Sequence, residues 1–447
     1  MSKSPEGRFQ IASPGAILAI LAFINFINYV DRQIIGALVP LLEAPAASGG
    51  LGLSDSQAGS LQMAFMVVHS IASVPLGVLA DHFLRKRLIA VGVTVWSVAT
   101  ALAAGASSFL TMFFARAAVG VGEAAYAPAA TALISEKFKP EARARALSVF
   151  QVGMMVGGGA AGVIGGQIGG TFGWRAAFLV VGIPGLLLAV LALFIHEKPL
   201  AQRAHTEGGR TREELNSTSL VLEARDLARS PAVRWINIAG ILITFFIGAV
   251  VFFAPVFILR FHYHGEHLRQ TDVHAWKAAV KHIGIVFGLL SAATALPGAF
   301  VGSYLADRWE RSAPGTGRLR VVAVGSICAA PAAVIGFFTN DLNVLYVAIG
   351  TGVFFASWYV GPILAALHDV VEPGRRGAIT GIYLLLVHLL GDAISPFIVG
   401  RISVHTGSLR VGLAVAVAML MLGGLAALRA IPESQRLAKL KRAPQPG

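Results

Sequence analysis

Charged residues are scarce in this chain, and several familiar motifs are missing from it. Asp, Glu, Lys and Arg together make up 13% of the 447 residues, whereas a soluble globular protein carries about 25%. Cys328 is the single cysteine, so an internal disulfide framework is excluded. The chain has no Gly-Lys-Ser/Thr phosphate-binding loop, no nucleophile-elbow sequence and no zinc-binding helix motif. These absences argue against a soluble protein, ATP-driven transport and an enzyme, and we predict no cofactor.

Long hydrophobic runs take the place of those features. Hydrophobic residues amount to 55% of the chain, and the mean hydropathy is +0.71. Runs of about 20 residues recur throughout, and each can cross the ~30 Å hydrocarbon core of a bilayer. We predict an all-α integral membrane protein whose first helix is retained and not cleaved as a signal peptide. The twelve predicted transmembrane helices are 15–42, 57–80, 87–106, 108–134, 144–170, 174–196, 232–259, 279–305, 319–339, 342–369, 377–402 and 408–431.

The net charge of +13 is unevenly distributed. Most Lys and Arg lie in the two tails and in the even-numbered connections between predicted helices. By the positive-inside rule, both termini therefore face the cytoplasm. The surplus charge is an orientation signal, and we expect no nucleic acid among the partners. The basic stretches are 85–87, 137–145, 198–234, 308–320, 375–376 and 429–442.

The chain divides into two similar halves. Its longest polar interruption, 197–231, separates six predicted helices from six. The sequence GVLADHFLRKR at 77–87 recurs as GSYLADRWERS at 302–312, each after the second helix of its half, which indicates an internal duplication. We predict two pseudo-symmetric six-helix bundles, 1–196 and 232–447, joined by a cytoplasmic linker. Such an architecture is typical of a transporter that holds its cargo between the halves.

Four charged residues, Asp31, Arg32, Arg116 and Glu123, lie near the middle of predicted spans. Each would cost about 2.5–3.5 kcal/mol if unpaired. Arg116 and Glu123 share one stripe of helix 4, about 10 Å apart along its axis, which suits two levels of one cavity. Our hypothesis is that Asp31 and Glu123 bind protons, while Arg32 and Arg116 hold an anionic head group or the deprotonated acids. The alternative is a set of static salt bridges between helices 1 and 4.

Three polar residues are predicted to assist these charges. Asn25 and Asn28 share a stripe of helix 1 with Arg32, and Tyr126 lies on helix 4 near Glu123. We assign all three to substrate contact or charge pairing.

The second half is aromatic where the first is charged. This composition suits an amphiphile whose tail lies among the rings, although packing against lipid or other helices would explain it too. His388 and Asp392 are four positions apart, which suits either a second titratable pair or a packed hydrogen bond. The possible tail-pocket residues are Phe245, Phe246, Phe253, Trp358, Tyr359, Tyr383, His388 and Asp392.

Two further segments carry structural expectations. Gly153, Gly157, Gly162 and Gly166 stand at close-packing spacing on helix 5, so we expect that helix to pack against a helix of the other half. The loop 260–282 has five histidines, but their spacing matches no recognised metal signature. We interpret the loop as a lid or an interaction surface and predict no metal site.

The repeated loop and the fourth helix resemble those of the major facilitator superfamily. The first loop departs from the family motif at His82 and Leu84. The resemblance implies a latch in which Asp81 binds the N-terminus of a neighbouring helix and closes the cytoplasmic side. The matching residues, which together form the predicted cytoplasmic gate, are Gly77, Asp81, Arg85 and Lys86 in the first copy and Asp307 and Arg308 in the second.

Within that superfamily, NYVDRQIIGALVP at 28–40 and RAAVGVGEAAYAPAATALISEKF at 116–138 resemble the Spinster family. This resemblance implies a proton-coupled carrier of anionic amphipathic lipids, such as lysophospholipids or sphingosine phosphate. Organic-anion carriers share similar segments, so a proton symporter or exchanger for small carboxylates is the alternative. A lipid predicts a gap between the halves that opens sideways to the bilayer; a carboxylate predicts a small closed polar cavity. We expect a monomer in a bacterial inner membrane, with cargo, protons and membrane lipid as its partners.

Overall fold

Twelve long helices make up nearly all of the described chain. The computed structural model describes residues 10–197, 229–372 and 375–442, apart from the side chains at 78, 80–82, 140, 144, 155 and 441–442. Within those residues, the helices long and apolar enough to cross a membrane number twelve, as predicted. They are α1 Pro14–Glu43, α2 Asp55–His82, α3 Arg85–Ala103, α4 Phe109–Lys137, α5 Pro140–Phe172, α6 Trp174–Leu193, α7 Pro231–His262, α8 Val273–Ser312, α9 Gly317–Phe338, α10 Leu342–Val370, α11 Arg376–Thr406 and α12 Leu409–Arg442.

Two helices extend well beyond their predicted ends. α8 begins at Val273 instead of 279, because the Asp272 carboxylate accepts hydrogen bonds from the backbone N–H groups of His274 and Ala275 at 3.0 and 2.9 Å. α12 continues past 431 through a polar segment that packs on the α8–α9 connection. A Cβ on Gly315 in that connection would lie 2.7 Å from the Ser434 carbonyl oxygen. Hydropathy alone could detect neither extension, because both run through polar sequence.

α10 and α11 are irregular at mid-length. α10 tightens into a 3₁₀ turn at Ser357–Tyr359 and resumes as an α-helix at Pro362, where the missing proline N–H breaks the regular bonding. α11 widens into a π-helical segment at His388–Asp392. Such segments often occur at functional sites because they leave backbone groups and side chains in unusual positions.

The halves pack tightly on the side of the membrane opposite the two chain ends, which we call the far side. Of the four predicted glycines of α5, Gly162 and Gly166 lie against α8 of the other half, as predicted, whereas Gly153 and Gly157 lie against α1 of the same half. A Cβ on Gly162 would lie 2.9 Å from the Gly284 carbonyl oxygen. A Cβ on Gly59 of α2 would similarly lie 2.3 Å from the Pro396 carbonyl oxygen of α11. Close packing through small residues therefore holds the far side shut.

The halves separate on the side that carries the chain ends, which we call the termini side. A Cβ on Gly77 near the end of α2 would have no neighbour within 4 Å. The same is true of Gly377 and Gly381 at the beginning of α11. Since α2 and α11 touch near the far side but not here, the gap between the halves opens toward the termini side.

Candidate functional site in the central cavity

A cavity of about 290 Å³ lies between the two halves. Its walls come from α1 and α2 on one side and from α7, α10 and α11 on the other. The residues that line it are Tyr29, Arg32, Gln33, Ile35, Gly36, Gln62, Met66, Thr244, Ile247, Gly248, Val251, Phe252, Tyr359, Val360, Leu364, Tyr383, Leu384, Val387, His388 and Asp392.

The Arg32 side chain forms the charged edge of this cavity. Its guanidinium donates to Glu123 Oε2 from Nη2 at 3.1 Å and from Nε at 3.3 Å. His69 Nε2 lies 3.3 Å from the same Nη2, and the rings of Tyr29 and Phe65 flank the guanidinium carbon at 4.9 and 5.3 Å. The Glu123 side chain is fully buried. The Arg32 guanidinium therefore lies between a buried carboxylate and the central cavity.

The other two mid-membrane charges form a second, deeper ion pair. Arg116 Nη1 donates to Asp31 Oδ1 at 3.1 Å, and the Thr100 hydroxyl donates to the other oxygen of Asp31. Both residues are fully buried, and neither lines the central cavity. The four charges thus form two ion pairs between α1 and α4. We predicted that Arg116 and Glu123 face one common cavity, but neither of them lines the central cavity. Adjacent residues point about 100° apart on a helix, so Asp31 and Arg32 reach different partners.

The three polar residues that we assigned to substrate contact or charge pairing lie inside the N-terminal half. Asn25 Nδ2 donates to the Phe150 carbonyl oxygen of α5 at 2.9 Å. The Tyr126 hydroxyl donates to the Leu21 carbonyl oxygen of α1. Asn28 is also buried. None of these three residues lines the central cavity in this conformation, so substrate contact by them remains a prediction.

The predicted tail-pocket residues divide into three groups. Tyr359, Tyr383, His388 and Asp392 line the central cavity, opposite the Arg32 side. His388 Nδ1 lies 3.1 Å from Asp392 Oδ2, so the predicted pairing of these two is present. Phe246 lines a second cavity, and the remaining members, Phe245, Phe253 and Trp358, are buried in packing contacts.

The second cavity, of about 190 Å³, lies within the C-terminal half between α7, α8, α9 and α10. Most of its wall consists of small or aliphatic side chains, and Ser291 and Ser357 are the only polar residues that line it in the described chain. Ile247 and Val251 belong to the walls of both cavities. An apolar compartment therefore adjoins the charged central one, with these two side chains at the boundary.

Two of the loop residues predicted to form a gate, Arg85 and Lys86, make contacts within the N-terminal half. Glu197 accepts hydrogen bonds from the backbone N–H groups of Arg85 and Lys86 at 2.9 and 3.1 Å, which caps the beginning of α3. The Arg85 guanidinium also pairs with Glu136 at 3.1 Å. The Asp81 side chain lies outside the described residues, so its predicted latch contact stays a prediction.

The second copy of the loop repeats this arrangement. Arg318 at the beginning of α9 pairs with Asp369 at the end of α10, and its Nη2 lies 3.6 Å from Asp307. This pair stands 233 positions after Arg85–Glu136 in both members, 85 to 318 and 136 to 369. Arg308 is exposed. Equivalent ion pairs thus stabilise equivalent helix ends in the two halves, which agrees with an internal duplication.

Comparisons with known proteins agree with this architecture. The family model described as Major Facilitator Superfamily matches residues 21–316 and 270–446. Protein spinster homolog 1 of Xenopus laevis is 28% identical over 386 residues, which cover 84% of this chain and 70% of that protein. The human homolog is 29% identical over 417 residues, which cover 88% of this chain and 74% of that protein.

Solved structures share the fold as well. The crystal structure of a bacterial homolog of the human lysosomal transporter Spinster, inward-facing and unoccupied, superposes with a TM-score of 0.74 at 21% identity. The match covers 97% of this chain and 99% of that one. The chain therefore belongs to the major facilitator superfamily and is a Spinster-like transporter.

Proposed function

We propose that this chain is a proton-coupled carrier of an anionic amphipathic lipid, of the lysophospholipid or sphingosine-phosphate kind. Its two halves expose the central cavity alternately to each side of the membrane. With the termini in the cytoplasm of a bacterial cell, the conformation described above faces inward. Arg32 is the observation that carries this proposal, because it places a guanidinium between a buried acid and an open cavity.

Arg32 couples proton uptake to the binding of the anionic cargo. Among the described residues that line the cavity, it is the only Arg or Lys, and its carboxylate partner is Glu123. When Glu123 takes up a proton, the guanidinium loses its counter-charge and can bind a phosphate or carboxylate group instead. Proton and anion then bind together. Asp31, held by Arg116 and Thr100, is the second proposed proton acceptor.

The second cavity supplies a place for a hydrocarbon tail. A head group at Arg32 would direct its tail across the central cavity toward α7, where Ile247 and Val251 separate the two compartments. Beyond them the wall is apolar, so a buried chain would gain about 0.8 kcal/mol per CH₂ group. The tail pocket proposed here is built mainly from small residues and less from the predicted aromatic ones.

A carrier of small carboxylates is the second candidate. The central cavity alone, at about 290 Å³, is near the lower end of the usual ligand-pocket range, roughly 300–1,000 Å³. A small organic anion paired with Arg32 would need no second cavity. Its case is weaker because most of the residues that line the central cavity are apolar or aromatic.

A binding panel at two pH values separates these candidates. We expect lysolipids and sphingoid phosphates to bind with higher affinity than small carboxylates, and to bind more tightly at the lower pH. The affinity should change by up to about tenfold per pH unit, because one proton is taken up with the anion. Preference for small carboxylates would favour the second candidate, and binding that does not depend on pH would contradict the coupling.

The tail pocket predicts a chain-length effect. A Cβ on Gly352 would have no neighbour closer than 3.8 Å, so Gly352→Leu should fill the second cavity without a backbone clash. Transport of long-chain lysolipids should fall by roughly tenfold, which corresponds to about 1.4 kcal/mol, while short-chain analogues are spared. Thr351→Leu, on the exposed face of α10, is the matched control. Equal loss for all chain lengths in proteoliposome uptake would contradict the pocket.

We also propose that Gly77, Asp81, Arg85, Lys86, Asp307 and Arg308 form the gate on the termini side. Gly77 faces open space in this conformation, so a larger side chain there should obstruct only the closed state. Gly77→Val should lower turnover by roughly tenfold while cargo binding from the termini side is retained. Gly105→Val in the far-side connection is the control. Turnover unchanged from wild type would exclude Gly77 from the gate.

A further inference from the structure

A cluster of charged residues closes the far side of the molecule, away from the central cavity. Arg260 at the end of α7 donates from Nη2 to Glu43 Oε2 at 2.7 Å and from Nη1 to Asp55 Oδ2 at 2.9 Å. The Ser403 hydroxyl of α11 donates to the same Asp55 oxygen at 2.5 Å. We call these four residues the far-side cluster. Glu43 and Asp55 belong to the N-terminal half and the other two to the C-terminal half, so the cluster joins the halves.

Close backbone packing surrounds this cluster. A Cβ on Gly400 of α11 would lie 2.4 Å from the Asp55 carbonyl oxygen. The Glu43 and Asp55 side chains are 11% and 7% exposed, whereas that of Arg260 is 38% exposed. The two acids are therefore shielded from water while the far side is closed, and they depend on partners from the other half.

The charges in the cluster do not balance. Two carboxyl groups share one guanidinium, and both contact its Nη2 nitrogen. The second oxygen of Glu43, Oε1, is buried and has no hydrogen-bond partner among the described residues. Ionised carboxylates only accept hydrogen bonds, so two of them on one guanidinium leave one negative charge in excess. A single proton on one of the carboxyl groups would neutralise the cluster.

No other charge in the described chain compensates for the excess. Several other titratable or charged groups lie on the far-side helices and connections, and no described hydrogen bond or ion pair joins any of them to the cluster. Arg269 pairs with Glu266, and Arg410 lies over the Phe261 ring. The charged residues and histidines among them are Arg175, His262, His264, Glu266, His267, Arg269, Asp272, His274, Lys277, Lys281, His282, Asp341, Arg401, His405 and Arg410.

We propose that the far-side cluster is a further proton-binding site of the carrier, separate from Glu123 and Asp31. It holds one proton on Glu43 or Asp55 while the far side is closed and releases that proton when the halves separate there. Opening removes Arg260 and Ser403 and admits water, so both acids can ionise. The inference goes beyond the proposed function, because it depends on alternating access and not on the identity of the cargo.

The sign of the pH effect follows from proton count. The closed far side binds one more proton than the open one, so raising the pH favours opening. The ratio of open to closed molecules should rise by up to about tenfold per pH unit over the range in which the cluster titrates. Glu43→Gln supplies a neutral amide of the same shape, which should keep the far side closed at every pH.

Distances between spin labels test this directly in the cargo-free protein. Ser107 and Asn340 are exposed in far-side connections of the two halves, so labelled Ser107→Cys and Asn340→Cys in a Cys328→Ser background report the far-side gap. We expect a longer-distance population that grows with pH and is absent in Glu43→Gln. Glu266→Gln, which removes the same charge from an exposed position on the same side, should behave as the parent does.

Two results would overturn the proposal. One is a pH-dependent far-side distance that persists unchanged in Glu43→Gln. The other is a far-side distance that does not change with pH in the parent protein. If Glu43→Gln loses the pH dependence of the far-side distance but keeps normal pH-dependent cargo binding, the result would support the far-side site independently of the proposed function.

Discussion

Glu123→Gln should bind anionic cargo tightly at every pH yet move no proton with it through this site. The amide carries no charge, so Arg32 is permanently free for a head group, as it is in the wild type only when Glu123 is protonated. Above the titration range of Glu123, the variant should bind better than the wild type, by up to about tenfold per pH unit. Isothermal titration of a lysolipid into detergent-solubilised protein across a pH series measures this.

The control for this substitution is Glu141→Gln, which removes the same charge from an exposed position in the first turn of α5. It should retain the wild-type pH profile. Asp31→Asn tests the other proposed acceptor and should alter proton movement without freeing Arg32. Near-wild-type flux that still depends on pH in both Asp31→Asn and Glu123→Gln would show that these acids do not couple transport. The two ion pairs would then be static links between α1 and α4.

Arg32→Gln should abolish transport, with cargo affinity reduced by roughly 10²-fold or more. Truncating one member of a hydrogen-bonded charge pair in a shielded site costs about 2–5 kcal/mol. Arg32→Lys should recover only part of the affinity. A lysine keeps the positive charge but lacks the planar fork that contacts Glu123 through both Nε and Nη2. Radiolabelled lysolipid uptake into proteoliposomes measures the loss.

The double variant Arg32→Gln/Glu123→Gln separates binding from folding. It removes both charges, so no buried carboxylate is left unpaired and the helices should assemble normally. We expect a monodisperse, fully folded protein that still fails to bind cargo. Binding equal to that of the wild type would remove Arg32 from the head-group site and require another cation to take that role.

The sequence was sufficient to predict the architecture because membranes impose strong rules on it. Backbone groups in lipid must bond within their own helix, so apolar length alone identified all twelve spans. The glycine spacing of α5 correctly indicated a close partner in the other half for Gly162 and Gly166, but Gly153 and Gly157 pack on α1 of their own half. The predicted beginning of α8 and the predicted end of α12 were wrong. Capping by Asp272 and packing near Ser434 act outside the hydrophobic region that a span prediction detects.

The pairing of charges could not be predicted from one sequence. Asp31 and Arg32 are neighbours in the chain, yet their partners are Arg116 and Glu123 respectively, and which acid meets which base depends on how α1 and α4 are rotated. His69 at Arg32 was missed as well, although a histidine within an apolar span is a detectable signal.

The far-side cluster was also missed, because its members are separated by up to several hundred positions and none of them forms part of a local motif. Three of them occur at helix ends, where charged residues are ordinary. Only the approach of α7 and α11 to α1 and α2 brings two acids to one arginine. Similarly, the second cavity is lined mainly by alanine, glycine and aliphatic residues, which carry no sequence signal for a binding site.

Proton movement during cargo transport tests the central claim most directly. Proteoliposomes that contain a trapped pH-sensitive dye should report acidification of the lumen when a lysolipid is carried in, and a matched radiolabel gives the cargo flux. We predict that proton and lysolipid fluxes rise together in the wild type, and that Glu123→Gln carries fewer protons per lysolipid. Lysolipid flux in the wild type with no accompanying proton flux would contradict the account.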